Sequence, residues 1–329
     1  MTATLHSSPP DRSTLAHDLE GSGGTADRTF KGLSYAAGLV VLLVLGLIAY
    51  TMMSRSTQAL GHMGVKFFTS RVWNPPAKDY GILSYIWGTV YTAFVALLLS
   101  VPISLGIALF ITQVAPVWLR HVMTYVIDLL AVVPSVVFGL WGILVLAEHI
   151  KGLYGWLSRT FHGVPVLGSL FGSNPQGRSF FTAGIILAVM ITPIVVSLSR
   201  SVIETTPAFE KEAALALGAT RWEMIRGAVL PHSKGGLVGA VMLGLGRAMG
   251  ETIAVALVIG SATGAITFNL LASGNSMPAV ITAEWGEADS LKKSALIAMA
   301  MTLFVMTIVV NVAATAIVNR SMKKTRGGQ

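Results

Sequence analysis

The chain has 329 residues, 53% of them hydrophobic and 12% charged, with a formal charge of +8. Soluble domains carry roughly 25% charged residues, so the composition points to an integral membrane protein. The basic balance requires no nucleic acid, because Lys and Arg gather on one face of membrane proteins; the lack of cysteine excludes disulfides, thiol catalysis and thiolate metal sites.

Residues 1–30 are rich in Ser, Thr, Gly, Pro and Asp and hold no long apolar run. This composition predicts a disordered cytoplasmic tail. No short apolar core follows a basic start, so a signal peptide is not expected. A membrane helix needs about 20 apolar residues. Six segments qualify: 33–53, a stretch within 85–111, 122–146 with Asp128 inside it, 180–199, 237–260 with Arg247 and Glu251 inside it, and 295–318. The runs are apolar all round, without the alternation of barrel strands. The expected fold is therefore an all-α integral membrane protein with six transmembrane helices. Residues 31–320 form its transmembrane domain and 321–329 a cytoplasmic C-terminal tail.

Six spans put both termini on one side, and the distribution of Lys and Arg favours the cytoplasm. Residues 147–178 then lie outside. With six glycines and two prolines among them, they read as an irregular loop with aromatic anchors. Pro134-Ser135 is expected to break the third span, and a broken helix often lines a cavity. Ser135 is thus a candidate contact in a solute path, and Pro102 in the second span is read the same way. Asp128 is read as a contact to a neighbouring helix or to water. The seven histidines show no metal-ligand spacing, and no cofactor is expected.

The cytoplasmic segment 200–234 carries helix signals. Thr206 is the expected N-cap, with Pro207 at the first helical position. Gly218 suits a left-handed stop. Thr220 and Glu223 make a capping box, opening a second helix that Pro231 ends. The expected product is a helix-turn-helix. Its first helix is slim at Ala213, Ala214 and Ala216, suited to a partner's groove or to packing on its own bundle.

Glu212-Ala213-Ala214, Gly218 after three residues, and Leu230-Pro231 after a further gap resemble the coupling loop of binding-protein-dependent ABC importer permeases, a MetI-like fold. Ala228 departs from the pattern, where that family usually has Ile. The resemblance implies that Glu212, Ala213, Ala214 and Gly218 couple the chain to separate ATPase subunits. In keeping with this, no lysine here sits in a Gly-rich phosphate loop. The chain is thus expected to be a transport subunit and not an enzyme, with ATP hydrolysed on another chain.

Arg247 stands ten residues into the fifth span, roughly 15 Å along it and near the bilayer centre. Glu251, four residues on, is expected to share its helical face. The two either pair with each other or present a guanidinium to an oxyanion in transit. The segment 246–255, Gly-Arg-Ala-Met-Gly-Glu-Thr-Ile-Ala-Val, is similar to the fifth-span signature of phosphate importer permeases, closer to the PstC type than to the PstA type. Residues 134–142 also resemble the PstC type. The resemblance implies transport of inorganic phosphate along a path with Arg247, Glu251 and Ser135. It implies as partners a sister permease of the PstA type, two ATPase subunits and an extracytoplasmic phosphate-binding protein, in the cytoplasmic (inner) membrane. Another oxyanion such as sulfate or molybdate, or an amino acid, remains an alternative cargo. An ATP-independent carrier or channel is the competing class.

Overall fold

The computed structural model describes residues 23–172 and 176–326. The chain divides into two units, Met1–Ser54 and Arg55–Gln329. Among the described residues six helices are long and apolar enough to cross a membrane, with spans at Asp27–Met63, Leu83–Val114, Ser135–Phe161, Phe180–Glu204, Arg221–Gly250 and Ser290–Ala316. The tail expected at 1–30 lies outside the described residues as far as residue 22. From Gly23 the chain is already helical, in α1 (Gly23–Met63).

In the second unit, α2 (Lys66–Thr69) leads to a short antiparallel ribbon, β1 (Trp73–Asn74) and β2 (Asp79–Tyr80), with Trp73 opposite Tyr80. Then follow α3 (Leu83–Leu109), α4 (Val117–Val132), α5 (Ser135–Trp141), α6 (Ala147–Phe161), α7 (Pro165–Leu170) and α8 (Phe180–Glu204). The rest of the chain supplies α9 (Ala208–Ala216), α10 (Arg221–Met224), α11 (Leu230–Gly250), α12 (Ile253–Val258), α13 (Met277–Glu284) and α14 (Ser290–Arg326). The last helix runs through most of the segment expected to be a C-terminal tail, and residues 327–329 lie outside the described residues.

Helices α3 and α8 run parallel: Val95 lies against Gly184, and the Ser100 and Thr192 hydroxyls hydrogen-bond at 2.9 Å one to two turns further on. Helix α11 runs antiparallel to α8, with Gly244 against Val195 and Gly236 against Val202. Small residues at such crossings let helix backbones approach closely in a bilayer. The core lies where α3, α8, α11 and α12 meet, around Ala96, Phe180, Leu187, Met249 and Val258. At the ribbon end, the Trp73 ring meets Tyr80 and Tyr85 edge-on, with centroids 5.1 and 5.5 Å apart. Trp73 Nε1 donates to Glu284 Oε2 at 3.0 Å, and Lys292 Nζ reaches the same oxygen at 2.9 Å. Burial, assisted by the Asp289 and Glu284 carboxylates, holds the Tyr80 phenol above its ordinary pKa.

Four features differ from the sequence expectation. The third span does not cover 122–146: the helix long and apolar enough to cross runs over 135–161. It follows the expected break at Pro134-Ser135, where Val133 is extended between α4 and α5 because proline has no N–H and restricts its predecessor. Second, residues 147–161 are helix and not loop. Ala147, Ile150, Tyr154 and Ser158 form a buried stripe, while Gly152 faces open space. The stripe outweighs the weak helix propensity of glycine. Third, Pro102 does not break α3, which runs through it.

The fourth difference concerns the loop 200–234. Thr206 does not cap α9; Pro207 occupies that position, and the buried Thr206 hydroxyl lies 3.3 Å from Ser233 Oγ. Pro231 does not end the second helix either. Residues 221–250 form one continuous helix with a π-turn at Ile225–Val229. The Leu230 N–H bonds back to Ile225 O, five residues earlier. This wider turn makes room for the proline ring at the start of α11, where an α-turn would bring it against a carbonyl.

Candidate functional site

The four-residue spacing of Arg247 and Glu251 predicts that they share one face of a helix. The structure breaks that helix between them. Helix α11 ends at Gly250, and Glu251 has extended backbone at φ −70°, ψ 126°. Gly246 and Gly250 weaken the helix locally. The Glu251 carboxylate turns to the next helix instead, and its Oε1 accepts from the Ala254 N–H at 3.3 Å, in the first turn of α12. An anionic acceptor is favourable there because helix N-terminal donors are otherwise unsatisfied. Arg247 is exposed and makes no ion pair or hydrogen bond among the described residues.

Ser135 reaches the same level by packing. Helix α5 runs parallel to α12. An added Cβ at Gly139 would lie 2.8 Å from Ala254 Cα, and one at Gly142 would lie 2.8 Å from Val258 Cγ1. Gly139 packs at the second residue of α12, so Ser135, one turn earlier on α5, lies at the end of α5 nearest the start of α12. Two interrupted helices therefore begin again side by side. Ser135 is half-buried at the first position of the helix 135–161, where the Ser135 and Val136 N–H groups lack intrahelical partners and the Val137 N–H donates to Pro134 O at 3.0 Å. Arg247 stands one turn before the break, on the stripe of α11 that includes Gly239 and Leu243. The segment offers a guanidinium, helix N-terminal donors and a hydroxyl within an apolar bundle, a donor set suited to an oxyanion. Its donors also fit no metal, and among the described residues no His/Asp/Glu cluster has metal-binding geometry.

The second group lies at the other end of α11. Glu212, Ala213 and Gly218 are exposed, and Ala214 packs against the cluster of Met224, Ile225 and Val229. Gly218 has φ +84°, the left-handed stop expected of it. The capping box is formed: Thr220 Oγ1 accepts from the Glu223 N–H at 3.3 Å, and Glu223 Oε2 accepts from the Thr220 N–H at 2.8 Å. Glu210 Oε2 lies 3.4 Å from His232 Nδ1, tying the first turn of α9 to the start of α11. From residue 230 to Arg247 the helix rises about 25 Å, so the two groups are distinct and joined by one rigid element. Sequence reasoning passes over Phe209, Leu217 and Trp222, which are 71%, 89% and 62% exposed around Glu212. All three stand in the sequence as large apolar side chains of the loop, and only their exposure needs the structure.

A family model described as "Binding-protein-dependent transport system inner membrane component" matches residues 100–323. The chain belongs to this family. Among relatives of this transport family, the "Phosphate transport system permease protein PstC" of Xylella fastidiosa is 41% identical over 326 residues, 98% of this chain and 99% of that protein. The protein of the same name from Mesorhizobium japonicum is 40% identical, covering 86% of this chain and 87% of its own length. Among solved structures, a chain of a bacterial ABC transporter involved in the import of alginate superposes with a TM-score of 0.60 at 17% identity, over 90% of this chain and 98% of that one. A chain of the MetNI methionine ABC transporter gives 0.54 at 16% identity, over 76% and 99%. At such identities the likeness is one of fold, and the fold of this family member is that of ABC transporter membrane chains.

Proposed function

We propose that this chain is the permease subunit of an ATP-driven importer that carries inorganic phosphate across the cytoplasmic (inner) membrane. The observation that carries the reading is Arg247: a permanent cation on an apolar span, exposed and without an intrachain partner among the described residues, one turn before a break in that span. An intramembrane charge must face a partner or a water-filled path. A planar guanidinium matches the oxygens of a phosphate ion. Relatives named as phosphate permeases along nearly the whole length of the chain support the cargo.

In this reading a sister permease of the PstA type covers the Arg247 face, and the solute path runs between the two chains. Arg247 binds phosphate oxygens. Ser135 and the first-turn N–H groups of α5 add donors. Glu251 holds the N-terminus of α12, keeping the break open, and sets a negative charge near the path that limits how tightly phosphate is held. Both termini lie in the cytoplasm, as does the loop 200–234. Glu212, Ala213, Ala214 and Gly218 dock on one of two ATPase subunits, which hydrolyse ATP on separate chains. An extracytoplasmic phosphate-binding protein delivers the solute. Movement of the ATPases acts on α9 and passes along the continuous helix 221–250 to the break at Glu251. The coupling depends on contacts that differ between the two states of the bundle.

The test is uptake of radiolabelled phosphate by cells depending on this chain. Arg247→Gln should lower the uptake rate by about tenfold or more, as expected when a charged hydrogen-bonding partner is lost. The complex should still assemble. Normal uptake by that variant, or competition by sulfate as effective as by phosphate, would overturn the reading.

A further inference from the structure

Away from the proposed path, a cleft of about 520 Å³ opens on the side of the bundle between α3, α4 and α8. Pockets for drug-sized ligands run from about 300 to 1,000 Å³. Its walls include Ile103 and Ile107 of α3, Val126 and Leu130 of α4, and Ile185 and Val189 of α8. The one polar side chain in the wall, Thr192, has its hydroxyl engaged by Ala188 O at 2.7 Å and by Ser100 Oγ at 2.9 Å. A polar solute would find no partner there, and its dehydration would go uncompensated. A hydrocarbon chain meets no such penalty.

The charge at one end of the cleft says what kind of molecule carries that chain. Arg120 stands just before Val122 on α4, and Arg200 two turns beyond Pro193 on α8, so both lie at the same end. Arg120 Nη2 donates to Thr112 O at 3.2 Å, and Arg200 Nη1 donates to Thr124 Oγ1 at 2.6 Å. The Nε atoms of both are buried without a partner among the described residues. Asp128 shares a small hollow with Arg200 and Thr124, yet no ion pair within 4.0 Å joins it to either arginine. Two guanidiniums are thus held by neutral oxygens alone, next to a greasy slot. Trp118 and Tyr125, 68% and 69% exposed, stand on the same helix at that end. Such aromatics mark the level of lipid headgroups.

We propose that this cleft binds an anionic phospholipid, with an acyl chain between α3, α4 and α8 and the phosphodiester at Arg120 and Arg200. The lipid would fasten α4 to the bundle, which α4 otherwise joins through one apolar face and the Arg200–Thr124 and Arg120–Thr112 bonds. Arginine suits the phosphodiester because its planar fork meets two oxygens at once.

The experiment uses the full chain purified in detergent with the subunits that accompany it. After delipidation it is mixed with phosphatidylglycerol or phosphatidylcholine, and retained lipid is read by native mass spectrometry. Phosphatidylglycerol should be retained about fivefold or more over phosphatidylcholine. Arg120→Gln with Arg200→Gln should abolish that preference, and Val126→Trp, which fills the slot, should lower retention of both lipids. Equal retention of the two lipids by the wild-type chain would overturn the proposal. So would an unchanged preference in the double variant, or undiminished retention in Val126→Trp. Displacement of phosphatidylglycerol by millimolar inorganic phosphate would also overturn it, by assigning the arginines to the free ion. The wild-type comparison stands even where a variant fails to fold.

Discussion

At Gly88 a single hydrogen decides how closely a loop approaches α3. A Cβ there would overlap the carbonyl oxygen of Asn275 and lie 3.4 Å from Phe180 Cε1. The obstacle is backbone, which cannot swing aside as a side chain can. The turn it would displace delivers Met277, whose N–H donates to Thr89 Oγ1 at 3.0 Å, at the next residue of α3. Gly88→Ala should therefore destabilise the bundle by about 1–3 kcal/mol, read as a fall in Tm of about 2 °C or more in detergent. An unchanged Tm would mean that the loop gives way at no cost. Nothing in the sequence singles out Gly88 from the chain's other glycines, because the close approach joins residues far apart in the chain. Arg247 and Glu251 are legible differently. Charges in an apolar run are visible without any structure, and their distance from the span's start needs only the helical rise. Their relation is not visible: the sequence suggests one helical face, with Glu251 either paired to Arg247 or beside it in a solute path. The break after Gly250 instead turns the Glu251 carboxylate to the Ala254 N–H at the start of α12.

The elements divide along the same line. Where local chemistry sets a boundary, the sequence suffices to find it: Gly218 stops α9, and Thr220 with Glu223 opens α10. Where tertiary packing sets it, the sequence misleads. Pro231 looks like a stop, but Met224, Ile225 and Val229 are buried in one cluster with Ala108, Ile111 and Val196. That anchoring holds the π-turn, and the helix continues through the proline. The loop's stiffness can be tested at Gly218. Its φ is +84° and an added Cβ meets nothing within 4 Å, so the effect of Gly218→Ala is purely conformational. An L-residue in the left-handed region costs about 1–2 kcal/mol. At that cost, hydrogen exchange across α9 and α10 should quicken about fivefold or more, with exchange in α8 unchanged. Exchange rates equal to wild type in α9 would show that the turn does not need its left-handed residue.

At the scale of the molecule, the Arg247 face has a testable consequence because the chain holds no cysteine. Each introduced thiol is then the only one in this chain. Leu243 on α11 and Val312 on α14 are 61% and 62% exposed in the isolated chain. Exposure alone predicts equal labelling of Leu243→Cys and Val312→Cys by a membrane-permeant maleimide. A sister permease seated over the Arg247 stripe predicts inequality, since Leu243 lies one turn from Arg247 on the same stripe. A nearby guanidinium also raises thiolate reactivity, so the comparison must be a ratio: the rate in the assembled complex over the rate in the chain alone. That ratio should fall about fivefold or more for Leu243→Cys and stay near one for Val312→Cys. If Val312 were protected and Leu243 not, the partner would sit on α14, and Arg247 would face lipid with no counter-charge. A permanent cation so placed is among the costliest arrangements a bilayer allows, which is why the protection is expected on the arginine's side.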